Sequence, residues 1–381
     1  MRKGWEYKKL GEVCTLISDG SHNPPKGIDH SLYRMISSQN VFDDNLQITE
    51  DNVRYITETD HLCENKRTKL QKDVVLLTIV GTIGRSCVLK GNEGCLTLQR
   101  SVAALHPSDQ IMPRYLMHCL IGNRHTLNQE AHGIAQKGIY LKQLSSLSIP
   151  LPPLSTQLSI VSELDKINEL IRLKKEQHKD FDNLAQSIFY EMFGDPVENE
   201  RGWEVKKISN IAKYHNGVAH EQDIDKDGDF VLINAKFISS EGQIKKYTSI
   251  QRFPLFKNDI VMVLSDLPNG KSLAKCFLID EDNKYTLNQR ICCFRGFDGS
   301  SIYLKNIINR NPYLLSFDNG KGQTNLRKGD VEKIPIPLPP LPLQQLFAQR
   351  IEQIEHQKAE VQKSIMDLET LLASRMQYWF E

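Results

Sequence analysis

Ile149-Pro150-Leu151-Pro152-Pro153-Leu154, with Gln157 three residues on, and Ile336-Pro337-Leu338-Pro339-Pro340-Leu341, with Gln344 three residues on, are one phrase written twice in the same chain. A repeat at this scale dictates architecture before any local reading does, because each copy must build the same unit. Outward from it, Gly4-Trp5-Glu6-Tyr7-Lys8-Lys9-Leu10 opens the first copy and Gly202-Trp203-Glu204-Val205-Lys206-Lys207-Ile208 the second. In between, Lys72-Asp73-Val74-Val75 aligns with Asn258-Asp259-Ile260-Val261, and Thr97-Leu98-Gln99-Arg100 more loosely with Leu287-Asn288-Gln289-Arg290.

After each Pro-rich phrase comes a long stretch without Pro or Gly, from Thr156 to Phe193 and from Leu343 to Glu381, rich in helix formers. In the second, Phe347, Ile351, Ile354, Lys358, Val361, Ile365, Leu368, Leu372, Arg375 and Trp379 alternate spacings of four and three, a coiled-coil seam. The first keeps the same frame through Ile160, Leu164, Ile167, Ile171, Lys174, His178, Phe181, Ala185, Ile188 and Met192, and ends where Gly194 can cap it and Pro196 bars continuation. Each helix of about 38 residues would extend roughly 57 Å at about 1.5 Å per residue, longer than a small domain is wide. A second helix that packs along the first must run back towards the first globular segment. The expectation is an antiparallel pair, an approximate two-fold axis and a nearly circular chain.

The fold class expected is therefore α+β: two tandem domains separated and connected by two long antiparallel coiled-coil helices. The boundaries are 1–154, helix 155–193, 194–341 and helix 342–381. Short β-rich runs such as Val74 to Val80 and Ile260 to Leu264, with helical pieces near Pro113 to Gly122 and Ser301 to Asn309, support mixed globular segments. Apolar residues at 40% and charged residues at 25% are ordinary globular usage, and no run approaches the roughly 20 apolar residues of a membrane span. Without a secretory signal at the N-terminus, the chain is expected to be cytoplasmic. The eight cysteines show no Cys-x-x-Cys spacing, so no metal site is expected and buried reduced thiols are the better reading. A formal net charge of +1 gives no global basic field.

Two α+β domains, each closed by Ile-Pro-x-Pro-Pro-Leu with its Gln and followed by a long helix, resemble the DNA-specificity subunits of Type I restriction-modification systems over the whole chain. The loop Asp19-Gly20-Ser21-His22-Asn23-Pro24-Pro25 and the stretch Val80-Gly81-Thr82-Ile83-Gly84 add to the resemblance. The second domain lacks obvious copies of those two loops. The resemblance implies target recognition domains, each reading one half of a bipartite, usually asymmetric double-stranded DNA site. It also implies that the helices set the gap and dock two methyltransferase subunits, with restriction subunits joining through the complex, and that the chain is not an enzyme and needs no cofactor. The competing expectation is a coiled-coil scaffold whose end domains bind protein or another nucleic acid.

Candidate DNA-contacting residues follow from side-chain chemistry and loop position. Arg85, Gln99, Arg100, Gln289 and Arg290 suit guanine or adenine edges, although each taken singly reads first as an ordinary surface residue. Ser21, His22, Asn23 and Lys26 lie in a Gly/Pro-bounded loop of the kind that presents readout groups. In the second domain the best stretch is Gly320 to Arg327, with Lys321, Gln323, Asn325 and Arg327, paralleled by Gly133 to Tyr140 with Lys137. Lys271, in Gly270-Lys271-Ser272, resembles the end of a phosphate-binding loop but lacks the earlier Gly, and Asn23-Pro24-Pro25 lacks the aromatic of an amino-methyltransferase motif, with Lys26 in its place. Neither a nucleotide site nor a methyltransferase site is expected. Lys174, His178, Lys358 and Arg375 interrupt the seam to set its register, with Trp379 and Phe380 free to cap the seam or to meet the start of the first domain.

Overall fold

The computed structural model describes residues 5–380 apart from 92, 132–136, 221, 268–269, 319 and 321. Gly4, Gly133 and Lys321 of the motifs above lie outside them. The chain divides into two units, Met1–Glu176 with Gln362–Glu381, and Gln177–Val361.

Unit 1 is built on a four-stranded antiparallel sheet in the order Cys14–Asp19, Val102–Pro107, Val75–Thr78, Ser86–Val88. Beside it lies a three-stranded sheet, Arg54–Tyr55, Tyr33–Ile36, Cys95–Leu98, whose last pair is parallel. Unit 2 repeats both. Its four-stranded sheet runs Lys213–Asn216, Ile291–Arg295, Ile260–Val263, Cys276–Leu278, and its three-stranded sheet Tyr247–Thr248, Phe230–Ile233, Tyr285–Leu287, again with the last pair parallel. Val75, Leu76, Leu77, Val261, Met262 and Val263 are buried, so these central strands are apolar on both faces.

The repeated phrases explain one another. Glu6–Lys9 of the opening pairs antiparallel with Ser148–Leu151 of the closure, and Glu204–Lys207 with Pro335–Leu338. A two-stranded ribbon has free edges, so it tolerates the prolines that a central strand would exclude. Tyr115 and Tyr303 donate to the carbonyls of Pro150 and Pro337 at 3.0 and 2.7 Å. The Gln of each phrase is buried: Gln157 Oε1 accepts from Met112 N at 2.9 Å, and Gln344 Oε1 from Ser300 N at 3.1 Å. Their amides donate back to Pro152 and Pro339 carbonyls. Each Gln thus rivets the start of a long helix to the loop ahead of the helices Pro113–Gly122 and Ser301–Ile308.

The long helices are Leu154–Phe193 and Leu341–Phe380. Within each unit their segments run antiparallel. In unit 1 Glu163 pairs with Arg375, and Lys175 with Glu369 at 2.7 Å; in unit 2 Asp182 pairs with Lys358 at 2.6 Å, and Phe189 meets Phe347. Phe347, Ile351, Ile354, Lys358, Val361 and Ile365 are buried at the seam spacing, as are Ile160, Leu164, Ile167 and Ile171. Towards the end of the first long helix, Phe189 and Phe193 are the buried side chains and Ile188 and Met192 are half-buried. Both Phe rings belong to an aromatic cluster with Tyr303 and Phe347, so the core of unit 2 turns the helix face there.

Two of the charged seam residues, Lys358 and Arg375, are paired. Burial by itself pushes the Lys358 ammonium down, but its hydrogen bond to Asp182 and the charges of Glu241 and Glu355 hold it up. Arg375 holds Glu163 below the usual carboxylate range, with Trp379 Nε1 donating to the same carboxylate at 3.0 Å. Trp379 also stacks on Trp5 with centroids 6.1 Å apart, and Phe380 is buried against Tyr115, so the last turn packs on the opening strand region of unit 1.

Three expectations need correction. First, the register of the internal repeat is one residue off in two places. Asp73 N donates to Leu89 O and Asn258 N to Ile279 O, both residues with positive φ, so Asp73 corresponds to Asn258 and not to Asp259. Asp and Asn are the side-chain types that tolerate the left-handed region, and that requirement outranks letter identity. Likewise the bridges Ser21 to Gln99 and Val218 to Asn288 match Leu98 with Leu287, and Arg100 with Gln289. Second, the second domain does carry counterparts of both loops, at Asn216 to Val218 and between Asp266 and Ala274. Third, the thiols are all free but not all buried: Cys63 and Cys95 are exposed, whereas burial pushes Cys14, Cys87 and Cys119 up to about 12.

Candidate nucleic-acid interface

Antiparallel connectivity brings the ends of Cys14–Asp19 and Val75–Thr78 and the starts of Ser86–Val88 and Val102–Pro107 to one end of the four-stranded sheet of unit 1. The loops there are stitched in a row by backbone hydrogen bonds. Ser21 N donates to Leu98 O and Arg100 N to Ser21 O; Ile79 N donates to Ser101 O; Gly81 N donates to Lys137 O and Ile139 N to Ile79 O. Ser21, His22, Asn23, Arg85, Gln99, Arg100 and Lys137 are therefore carried on one continuous ridge, with Lys26 further along the first loop.

Unit 2 builds the same ridge. Gly217 N donates to Ile291 O and Val218 N to Leu287 O; Leu264 N donates to Arg290 O and Leu326 N to Leu264 O. Ser265–Asp266 pairs with Thr324–Asn325. Asn216-Gly217-Val218 is thus the counterpart of Asp19-Gly20-Ser21. A Cβ on Gly20 would lie 2.1 Å from Leu98 O, and one on Gly217 2.0 Å from Asn288 O, so the close crossing of two backbones demands Gly at both places. The counterpart of Gly81 to Gly84 is the longer loop from Asp266 to Ala274: Gly84 N donates to Thr78 O and Ala274 N to Val263 O, with positive φ at both. Lys271, Gln289, Arg290, Gln323, Asn325 and Arg327 all lie on this second ridge.

Beneath matching backbones the supporting side chains differ. In unit 1, Asp19 is buried and faces Arg67 and His22. Ser21, expected to face DNA, is also buried and its Oγ donates to Glu64 Oε1 at 3.0 Å, so its side chain braces the loop from within and only its backbone belongs to the ridge. In unit 2, buried His220 ties Val218 O at 2.7 Å to Thr286 Oγ1 at 2.9 Å. Arg124 braces Gly84 O in unit 1, and Arg310 braces Lys271 O in unit 2. These braces, with Arg67, come from elements distant in sequence, and no local pattern marks them. Lys275, the counterpart of Arg85, and Tyr140, 71% exposed beside Lys137, also belong to the ridges and were not picked out by sequence reasoning. Tyr140 was visible there as an aromatic in a Gly-bounded loop.

The ridges are suited to meeting polyanion. Lys26, Arg100, Lys137, Lys271, Arg290 and Arg327 are exposed and form no ion pair among the described residues. Arg85 instead lies over the Phe42 ring at 4.6 Å, which leaves its edge N–H groups to bond outward. The resemblance of Gly270-Lys271-Ser272 to a phosphate loop ends in the geometry: Asp266 Oδ2 accepts from Ser272 N at 2.6 Å and Leu273 N at 3.2 Å. The protein's own carboxylate fills the amide nest that an anion would need. No group of three or more His, Cys, Asp or Glu among the described residues could hold a metal ion, and no described helix is long and apolar enough to cross a membrane.

The model of the Type I restriction modification DNA specificity domain matches the chain twice, at residues 2–180 and 200–369. The chain is 22% identical over 388 residues to the putative type I restriction enzyme MjaX specificity subunit of Methanocaldococcus jannaschii, covering 92% of this chain and 87% of that one. It is 28% identical over 135 residues to the type I restriction enzyme EcoBI specificity subunit of Escherichia coli, covering 34% of this chain but only 28% of that relative's length. Among solved structures, the Type I restriction-modification S subunit from M. genitalium superposes with a TM-score of 0.56 at 12% identity, over 98% of this chain and 95% of that one. A chain from a structure concerning complex assembly and conformational transition of the type I R-M system gives 0.58 at 16% identity, over 100% and 98%. At these identities the two structures speak for the fold.

Proposed function

Because the chain belongs to the Type I restriction-modification DNA specificity family, we propose that it is the subunit that chooses the DNA sequence on which the methyltransferase and restriction subunits of such a system act. The observation that carries this is the pair of ridges: one backbone framework built twice, presenting His22, Asn23, Arg85, Gln99, Arg100 and Lys137 in one copy and Lys271, Gln289, Arg290, Gln323, Asn325 and Arg327 in the other. Equivalent frameworks with different readout groups read two different half-sites, which makes the target bipartite and asymmetric. Arg and Gln supply bidentate readout of guanine and adenine edges, and the exposed Lys side chains supply phosphate contacts that fix register.

Residues 1–154 and 194–341 then act as target recognition domains. The long helices, 155–193 and 342–381, set the gap between half-sites and dock two methyltransferase subunits, through which restriction subunits join. The chain contributes selection and the partners contribute chemistry, so it turns over nothing by itself. With a formal net charge of +1 it has no global basic field beyond the ridges, and DNA binding by the isolated chain, without the partners' phosphate-neutralising surface, is weak and falls as salt rises. A bacterial or archaeal cytoplasm, where the DNA lies, is its place of work.

The test is to express the chain with its cognate methyltransferase subunit in a methylation-free host and map modified bases across the genome, with the methyltransferase alone as control. Adenine methylation at a two-part motif with a fixed gap, only when the chain is present, is the expected result. Unchanged methylation despite demonstrated complex formation would sink the reading and favour a scaffold.

A further inference from the structure

We propose that His22 reads an exocyclic amino group, adenine N6 or cytosine N4, in the half-site of the first recognition domain, and that Asp19 is the positioning residue that makes this possible. The inference rests on the DNA-selecting function above and names a reader within it.

Asp19 ends the strand Cys14–Asp19, and its side chain is only 9% exposed. Its carboxylate faces the Arg67 guanidinium, delivered by the helix Glu58–Thr68, and lies 2.7 Å from His22 Nε2. A carboxylate beside a guanidinium stays ionised and can only accept, so the proton between the two groups sits on Nε2. In a neutral imidazole the other nitrogen is then an acceptor; which nitrogen is which is set by the partner behind the ring. Nδ1 has no hydrogen-bond partner among the described residues, and the side chain is 56% exposed.

An outward acceptor takes a hydrogen from adenine N6 or cytosine N4, and it is repelled by guanine O6, guanine N7 and thymine O4 in the major groove. Arg67 offsets the charge of Asp19, so the site does not set a bare anion against the phosphates. The second domain carries Asn216 in the place of Asp19, and its loop histidine, His220, is buried against Thr286. The device belongs to one domain, so its loss should be felt in one half-site.

The genome-wide map for the wild-type complex supplies the two half-sites; absence of any bipartite motif there would overturn the functional reading itself. With the motif known, His22→Ala should leave one position of one half-site degenerate and the other half-site unaltered. Wild-type complex should bind roughly tenfold more weakly to a duplex carrying purine for adenine, or 2-pyrimidinone for cytosine, at that position. The same replacement should add nothing in His22→Ala. Asp19→Asn can donate to Nε2 and so convert Nδ1 to a donor, which should change the base accepted at that position. An unaltered motif in His22→Ala overturns the proposal. So does weakening that is uniform over sequences and reduces the salt dependence, the signature of a phosphate contact.

Discussion

Replacing Gln157 by Leu removes the rivet that fastens the first long helix to its globular segment while keeping volume nearly constant. Gln157 is 0% exposed and makes three hydrogen bonds: it accepts from Met112 N at 2.9 Å and donates to Gln110 O at 3.0 Å and Pro152 O at 2.9 Å. Its counterpart Gln344 makes two, with Ser300 N and Pro339 O. Stranding a buried polar group costs about 1–3 kcal/mol, the N–H more dependably than a carbonyl with a second lone pair. The first substitution should therefore destabilise its segment by about 3 kcal/mol and Gln344→Leu by about 2 kcal/mol. Hydrogen exchange followed by mass spectrometry reads the two segments separately, which a global melt of a two-unit chain does not. At about 1.4 kcal/mol per decade, protection of residues 112–117 should fall roughly a hundredfold in Gln157→Leu, and that of 300–305 by a smaller factor in Gln344→Leu. A loss under about fivefold in Gln157→Leu, or a larger loss in Gln344→Leu than in Gln157→Leu, would refute the view that these amides hold helix to domain.

Gly20→Ala and Gly217→Ala should each abolish sequence-specific methylation while the circular dichroism of the long helices persists, because a Cβ would collide with a backbone carbonyl at either crossing; full activity of either variant would show that the crossing can open. Glu163 is held below the usual carboxylate range chiefly by its hydrogen bond from Arg375. A depressed carboxylate stabilises the fold above its unfolded pKa of about 4.3, and that stability is lost as the pH falls through the folded value. Acid unfolding followed by tryptophan fluorescence should thus begin at higher pH in Glu163→Gln, whose side chain lacks this stabilisation throughout; coincident acid limbs would count against the clasp. Iodoacetamide under native conditions should label Cys63 and Cys95 and spare Cys87 and Cys119, as peptide mapping would show; rapid labelling of the latter pair would mean that the core opens readily.

Most of the architecture was written locally. Pro-rich phrases with their Gln, the opening Trp-Glu-x-Lys-Lys and the heptad seam are patterns of neighbouring residues, and each is enough to mark an element or its end. Their duplication then told how many units to expect. The alignment between copies was less legible, since Asp73 and Asp259 share a letter but not a backbone conformation. The candidate contacts were legible as loops and not as a surface. Nothing in the sequence joins residues 20–23 to 99–101 or 79–84 to 137–139, because those seams are made of backbone hydrogen bonds, which every residue type can form.

By itself, then, the sequence determined the duplicated plan, the long helices and the closures, all of which follow from the internal repeat, from short-range periodicity and from what Pro and Gly forbid. Only the tertiary structure decided that Asp266 to Ala274 stands in for Gly81 to Gly84, that Arg67 and Asp19 orient His22, and that Trp379 finds Trp5. Those relations depend on which strands lie side by side, and strand pairing is fixed by burial of both sheet faces across long stretches of chain rather than by any signal carried at the residues that finally meet.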